Sequence, residues 1–187
     1  MAKLIIQILL ISIMTVMTAG CGTIYKAAMD ERSLGQQTAD ASISASIMKA
    51  YLDDDDVSVL GIEPYTFSGN VFLVGEYENS TQRNKAVSIA QNVEGVTDVT
   101  TYFLPKKDDP SCGTSDNLGI LANVKKDLIG DSDIWSTNVE VKVVQCRVVL
   151  LGLVGSSDEV SKSIAHAEAV DGVRSVKSYL RVSKNPH

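Results

Sequence analysis

A stretch of this chain is repeated within it: residues 47–104 lie over residues 124–181 without a gap, 77 positions apart, as Gly95 is from Gly172. Val71, Leu73 and Gly75 fall on Val148, Leu150 and Gly152, and Ala90 and Val93 fall on Ala167 and Val170. Gly95, Val96, Val99 and Tyr102 fall on Gly172, Val173, Val176 and Tyr179. About a quarter of the aligned positions are identical, and that density at one fixed offset marks a duplicated structural unit. Both copies must therefore adopt one fold, and function is to be sought where they differ.

Each copy opens with apolar residues at helical spacing: Ile43, Ile47, Ala50 and Tyr51 in the first, and Ile120, Leu121, Val124 and Leu128 in the second. Asp40, and Asp116 or Asn117, are the expected N-caps. Two β-rich runs follow, Val57 to Phe67 and Val71 to Tyr77, matched by Val139 to Val144 and Val148 to Val154. Gly69-Asn70 and Gln145-Cys146-Arg147 sit where a tight hairpin turn must be. A second helix is expected from Ser80 to Val93 and from Ser157 to Val170, with Gly95 and Gly172 as its C′ residues. A last strand runs from Val96 to Leu104 and from Val173 to Val182.

The fold class is therefore α+β: two tandem units ordered helix, strand, strand, helix, strand, each with two helices on one face of a three-stranded sheet. A unit of about 60 residues is marginal alone, so the copies are expected to pack together. This order, with the glycine-centred hairpin, the Ala-rich helix and the Gly-Val-x-x-Val exit, resembles the BON domain across residues 40 to 182. Asp30, Arg32, Ser33 and Gly35 resemble the lead-in of outer-membrane lipoproteins that carry two such domains. The resemblance implies a non-enzymatic periplasmic protein involved in phospholipid binding and outer-membrane integrity.

The flanking segments agree with that class. Lys3, an apolar run from Leu4 to Val16, and Thr18-Ala19-Gly20 ahead of Cys21 have the layout of a secretory signal peptide. The run is short of the ~20 apolar residues a spanning helix needs, and small residues before a cysteine are similar to a lipobox, with Thr18 where Leu is usual. Residues 1–20 are expected to be removed, leaving Cys21 acylated at the outer membrane of a Gram-negative envelope; several acyl chains anchor far more firmly than one. Residues 21–39 read as a polar tether, 40–104 as the first domain, 105–115 as a proline-bounded linker and 116–183 as the second domain.

Charge separates the copies. Residues 22–104 hold 5 Lys and Arg against 12 Asp and Glu, net −7, whereas residues 118–187 hold 9 against 8, net +1. An anionic leaflet attracts basic residues at about 1 kcal/mol each, so the second copy is the one to meet lipid headgroups. Its first helix carries Leu118, Ile120, Leu121, Val124 and Leu128 beside Lys125 and Lys126, more apolar residues than one core stripe requires. Trp135, the single tryptophan, follows that helix and pairs an apolar ring with a polar N–H suited to an interface. Leu118, Ile120, Leu121, Lys125, Lys126 and Trp135 are thus the expected phospholipid-binding set. The rival expectation is a protein-interaction module whose sheet edges or acidic first domain recognise an envelope protein such as an assembly factor or secretin.

Cys112 and Cys146 sit in a chain sent to an oxidising compartment. A helix of ~18 Å followed by an antiparallel strand of ~20 Å returns the hairpin turn to the helix start, so a Cys112–Cys146 disulfide is expected. The run Asp53-Asp54-Asp55-Asp56 lacks the alternating ligands and closing acid of a calcium loop, and two histidines, His166 and His187, supply no metal motif. No cofactor or metal is implied. No nucleophile elbow or phosphate loop stands out, and an acidic chain with few aromatics lacks the electrostatic footprint of nucleic-acid binding.

Overall fold

The computed structural model describes residues 33–57 and 61–183, so Cys21 and the signal segment lie outside the described residues. The first unit comprises α1 (Leu34–Leu52), β1 (Ile62–Phe67), β2 (Asn70–Tyr77), α2 (Ser80–Gln91) and β3 (Asp98–Pro105). The second repeats it as α3 (Thr114–Gly130), a 3-10 turn (Ser136–Asn138), β4 (Val139–Val144), β5 (Arg147–Val154), α4 (Ser157–Ala169) and β6 (Ser175–Val182). Each sheet has its second strand at the centre, antiparallel to the first and parallel to the third.

Two helices cover one face of each sheet, as expected. Ile43, Ile47 and Tyr51 of α1 meet Ala86 and Ala90 of α2 over Val71 and Leu73 of β2. Ile120, Val124 and Leu128 of α3 do the same with Ala167 over Val148 and Leu150 of β5. Burial drives the Tyr51 hydroxyl well above the usual phenol range, and it donates to Ala86 O at 3.0 Å.

The other faces pack on each other. Phe72 and Val74 meet Val144, Val149 and Leu151, rimmed by Tyr65, Tyr102 and Tyr179, so the layers run helix, sheet, sheet, helix. This is why both central strands are buried on both sides: covering a sheet twice demands continuous apolar runs. The units stack head to tail. Gln145, at the hairpin end of the second, donates to Glu76 Oε1 (2.6 Å) and Pro105 O (2.8 Å) at the opposite end of the first. At the other end, Gln37 and Phe67 of the first unit and Thr137 and Leu153 of the second line a cleft of about 310 Å³. Lys142 bridges to Glu63 across the seam, and that hydrogen bond with one from Tyr65 outweighs burial to hold Glu63 below the ordinary carboxylate range.

Several expected boundaries move. The first helix starts at Leu34, inside the stretch read as tether, because Ser33 caps it by accepting from Gln36 N at 3.2 Å. Asp40 is buried mid-helix instead, its carboxylate accepting from Ser68 N (2.8 Å) and Gly69 N (2.9 Å). Its counterpart Asn117 accepts from Cys146 N at 2.8 Å, while the N-cap of α3 is Gly113, whose N–H donates to Asp116 Oδ2 at 2.7 Å. The hairpin turns are Ser68-Gly69 and Gln145-Cys146, all four at positive φ as a two-residue turn requires. Strand β1 starts at Ile62, not Val57. Gly95 and Gly172 lie beyond the helix caps Asn92 and Val170, in the turn entering the last strand. The repeated Gly75 and Gly152 have a sharper reason: a Cβ there would sit 1.8 Å from Gly61 O or 2.0 Å from Asn138 O.

Candidate membrane-facing site

The site starts with α3. At 100° per residue, Ile120, Val124 and Leu128 form its core stripe, whereas Leu118, Ala122, Lys125 and Ile129 fall within about 60° of one another on another side. Ile120 is 4% exposed and Leu121 packs partly buried against the same core. Both are therefore removed from the expected lipid-contacting set, since the apolar excess read from the sequence is absorbed by β4, α4 and the strand after it. Leu118 stays exposed at 60%, but near the hairpin end of the unit.

The apolar surface concentrates at the other end of the helix, and it includes a residue that the sequence did not single out. Ile129 is 71% exposed and Trp135 43% exposed, and together with Lys125 they line a groove of about 560 Å³. Ile129 closes a helical run just before Gly130 and reads like an ordinary helix end. Only its place opposite Trp135 reveals it.

Three residues on one face of α4 hold the Trp135 loop. Glu159 accepts from Trp135 N at 2.8 Å, Lys162 bridges Asp133, and His166 meets Asp131 at 2.9 Å, which lowers the Asp131 carboxyl below its usual value. Glu159 also accepts from Gly155 N at 2.9 Å, closing the capping arrangement that Ser156 begins. The first unit has the counterpart of this clamp: Lys85 of α2 sits 3.1 Å from Asp54 and 3.9 Å from Asp56, and its hydrogen bond draws the Asp54 carboxyl down. Two of the four consecutive aspartates thus anchor a loop to a helix, and no group able to hold a metal occurs among the described residues.

Two substitutions between the copies account for the cations of the second. Lys49 is neutralised by Asp53 at 2.6 Å, but the corresponding pair in the second unit is Lys126 with Gly130, so Lys126 has no ion pair among the described residues. The position of Met48 becomes Lys125, which keeps only a 3.7 Å approach to Glu140. At the hairpin end, Cys112 and Cys146 are joined with Cα atoms 6.0 Å apart. Arg174 ties the linker to the same end through Asp109 (2.6 Å) and Ser111 (2.5 Å), holding the Asp109 carboxyl far below its ordinary value. No helix of the described residues is long and apolar enough to cross a membrane.

Duplicated helix-strand-strand-helix-strand units define the class: both match the BON domain, over residues 39–103 and 116–184, and the chain belongs to that family. Among its relatives, the Osmotically-inducible protein Y of Escherichia coli K12 is 31% identical over 144 residues, 76% of this chain and 72% of that protein. The outer membrane lipoprotein DolP of Haemophilus influenzae is 26% identical over 160 residues, 85% of this chain and 81% of that one. Of solved structures, CdsD, a structural protein of the type III secretion system of Chlamydia trachomatis, covers 76% of this chain and 92% of its own at 12% identity, with a TM-score of 0.33.

Proposed function

We propose that this protein is a lipid-anchored, non-enzymatic component of the Gram-negative cell envelope. Cys21 carries the anchor and the second domain binds anionic phospholipid, in support of outer-membrane integrity. The observation that carries the reading is the exposed pair Ile129 and Trp135 sharing a groove with Lys125, with Lys126 three residues before Ile129 on the same helix, so that apolar insertion and Coulomb attraction act at one end of the unit. The relative named as an outer membrane lipoprotein supports the location. Head-to-tail stacking supports the geometry. The start of α1 lies beside Thr137 at the cleft, and Thr137 also lines the Trp135 groove, so a chain arriving from Cys21 enters at the end that carries Trp135. Anchor and domain then engage one leaflet, the second contact made at high effective concentration. The Cys112–Cys146 bond, formed on export, fixes the opposite end.

The test is flotation of the chain from Gly22 to His187 with vesicles of phosphatidylglycerol and phosphatidylethanolamine, against phosphatidylethanolamine and phosphatidylcholine alone, at low and moderate salt. Binding is expected only with the anionic lipid, weakening with salt. It should be lost in Lys125→Glu with Lys126→Glu and reduced in Trp135→Ser. Equal flotation with both vesicle types, or none with either, would sink the reading.

A further inference from the structure

On the first unit, away from Trp135, α2 and the outer edge of β3 bound a second groove, of about 630 Å³. Its helix wall is Arg83, Val87 and Gln91 on successive turns, and its strand wall is Val99, Thr101 and Phe103. From Arg83 to Gln91 the helix rises about 12 Å, room for roughly four residues of extended chain.

The strand wall is an open edge. β3 is the last strand of its sheet, so its outward backbone groups meet no strand among the described residues. Lys106 donates inward to Tyr77 O at 2.8 Å, and alternation back along the ladder then turns the N–H groups of Val99, Thr101 and Phe103 outward. From Asp98 to Leu104 the edge carries no Lys, Arg, Pro or Gly, the residues that blunt an exposed strand. The equivalent edge of the second unit is guarded: Lys177 stands where Thr100 does and Arg181 where Leu104 does. One fold thus presents one protected edge and one open edge.

The groove also has a charge preference. Arg83 is the single charged residue on its wall. Its guanidinium lies 5.6 Å from the Tyr77 ring centre and reaches only the Asn84 amide oxygen, at 3.4 Å, with no carboxylate in ion-pair range among the described residues. That is an unneutralised cation in a domain whose net charge is −7 over residues 22–104.

We propose that the α2–β3 groove of the first unit is a strand-addition site for an extended segment of another polypeptide. The segment would be apolar at alternate positions and carry a carboxylate at the Arg83 end. Backbone hydrogen bonds along β3 supply the affinity; the groove and Arg83 supply the selection. The carboxylate is either an acidic side chain or the segment's own C-terminus, and the test separates them.

Random octapeptide libraries, one with a free C-terminal acid and one amidated, are panned on the full-length protein in detergent. β-prone peptides should be enriched, from both libraries if the acid is a side chain and from the free-acid library alone if it is the C-terminus. Their amide-resonance shifts should map to Asp98–Leu104 and α2. Thr100→Lys installs the residue β6 already carries, and should weaken binding about tenfold or more. Arg83→Gln, on an exposed helix face, should weaken it to a similar degree, and Lys177→Thr should not. No enrichment over the Thr100→Lys protein overturns the proposal, as does unchanged affinity in Arg83→Gln. Self-association of the wild type that Thr100→Lys abolishes overturns it too, since the edge would then serve a second copy. Vesicle binding plays no part in this readout, so the two surfaces stand or fall separately.

Discussion

In the first domain the hairpin turn is held by a carboxylate, Asp40, that accepts from two successive backbone N–H groups; in the second an amide, Asn117, accepts from one, and a disulfide at the same turn does the rest. At the far end of the first helix the copies diverge again. Leu52 of α1 is exposed next to four aspartates, whereas Ile129, at the same position of α3, is exposed next to Trp135 and two lysines. The scaffold was kept and its two ends were reassigned. The second unit has covalent support at the hairpin end, and its other end has Gly130 and Ser132 in place of two of the aspartates, with a cation at Lys125 and an aromatic ring at Trp135.

The largest difference to break is the disulfide. Cys112→Ser with Cys146→Ser removes a cross-link between residues 34 apart in sequence, and should cost on the order of 3 to 4 kcal/mol. Thermal melts followed by the Trp135 fluorescence of the second unit should drop sharply, and reductant should reproduce the loss in the wild type alone. Next come the turn anchors. Asp40→Ala strands one buried and one half-buried N–H group and should destabilise by about 2 to 3 kcal/mol, while Asn117→Ala strands one, at about 1 to 2 kcal/mol, with the disulfide intact. Denaturant titrations of both variants test that order, and equal costs would mean that the second hydrogen bond of Asp40 contributes nothing.

Smaller effects sharpen the other end. Gly130→Asp restores to Lys126 the partner that Lys49 has, and should cut affinity for phosphatidylglycerol vesicles by roughly fivefold, the worth of about one cation at a surface, with little change in melting temperature. The smallest expected effect is the pH dependence of the seam. The folded-state pKa of Glu63 is lowered, so its stabilising contribution is present above the ordinary glutamate value, near 4.3, and fades as pH falls through the lower folded value. For a half-exposed pair this amounts to at most about 1 kcal/mol. The gap in denaturation midpoint between wild type and Lys142→Met should therefore be measurable at pH 7 and shrink as the pH is taken below the ordinary glutamate range.

The repeat made most of the fold legible, because Gly75 and Gly152 or Ala90 and Ala167 recur where only a small residue fits. The sheet-on-sheet seam was half legible: the unbroken runs Val71 to Val74 and Val148 to Leu151 signal strands buried on both faces, though not what lies on the second face. The start of α1 was hidden because Leu34 to Ala39 presents no apolar stripe; a serine cap and the Gln36–Asp40 hydrogen bond at 3.2 Å hold it instead. Of the candidate site, Lys125, Lys126 and Trp135 stand out in the sequence by type and spacing, and Trp135 is exposed beside Lys125 in the fold. Ile120 and Leu121 were not separable from surface residues, since a helix wheel does not state how wide a stripe its neighbours will cover. The hold of Glu159 on Trp135 spans 24 residues and leaves no local trace.

Because the units stack in opposite senses, the described chain comes in and goes out by one pole. Gln37, one turn beyond Ser33, shares a cleft with Leu153, and the neighbouring Val154 carbonyl receives the N–H of Ser183. If that pole rests on a bilayer, both ends of the folded body are crowded beneath it and the disulfide pole faces away. A bulky protein fused after His187 would then act as a wedge between body and leaflet, whereas the same fusion inserted at the linker, near Lys107, would ride on top.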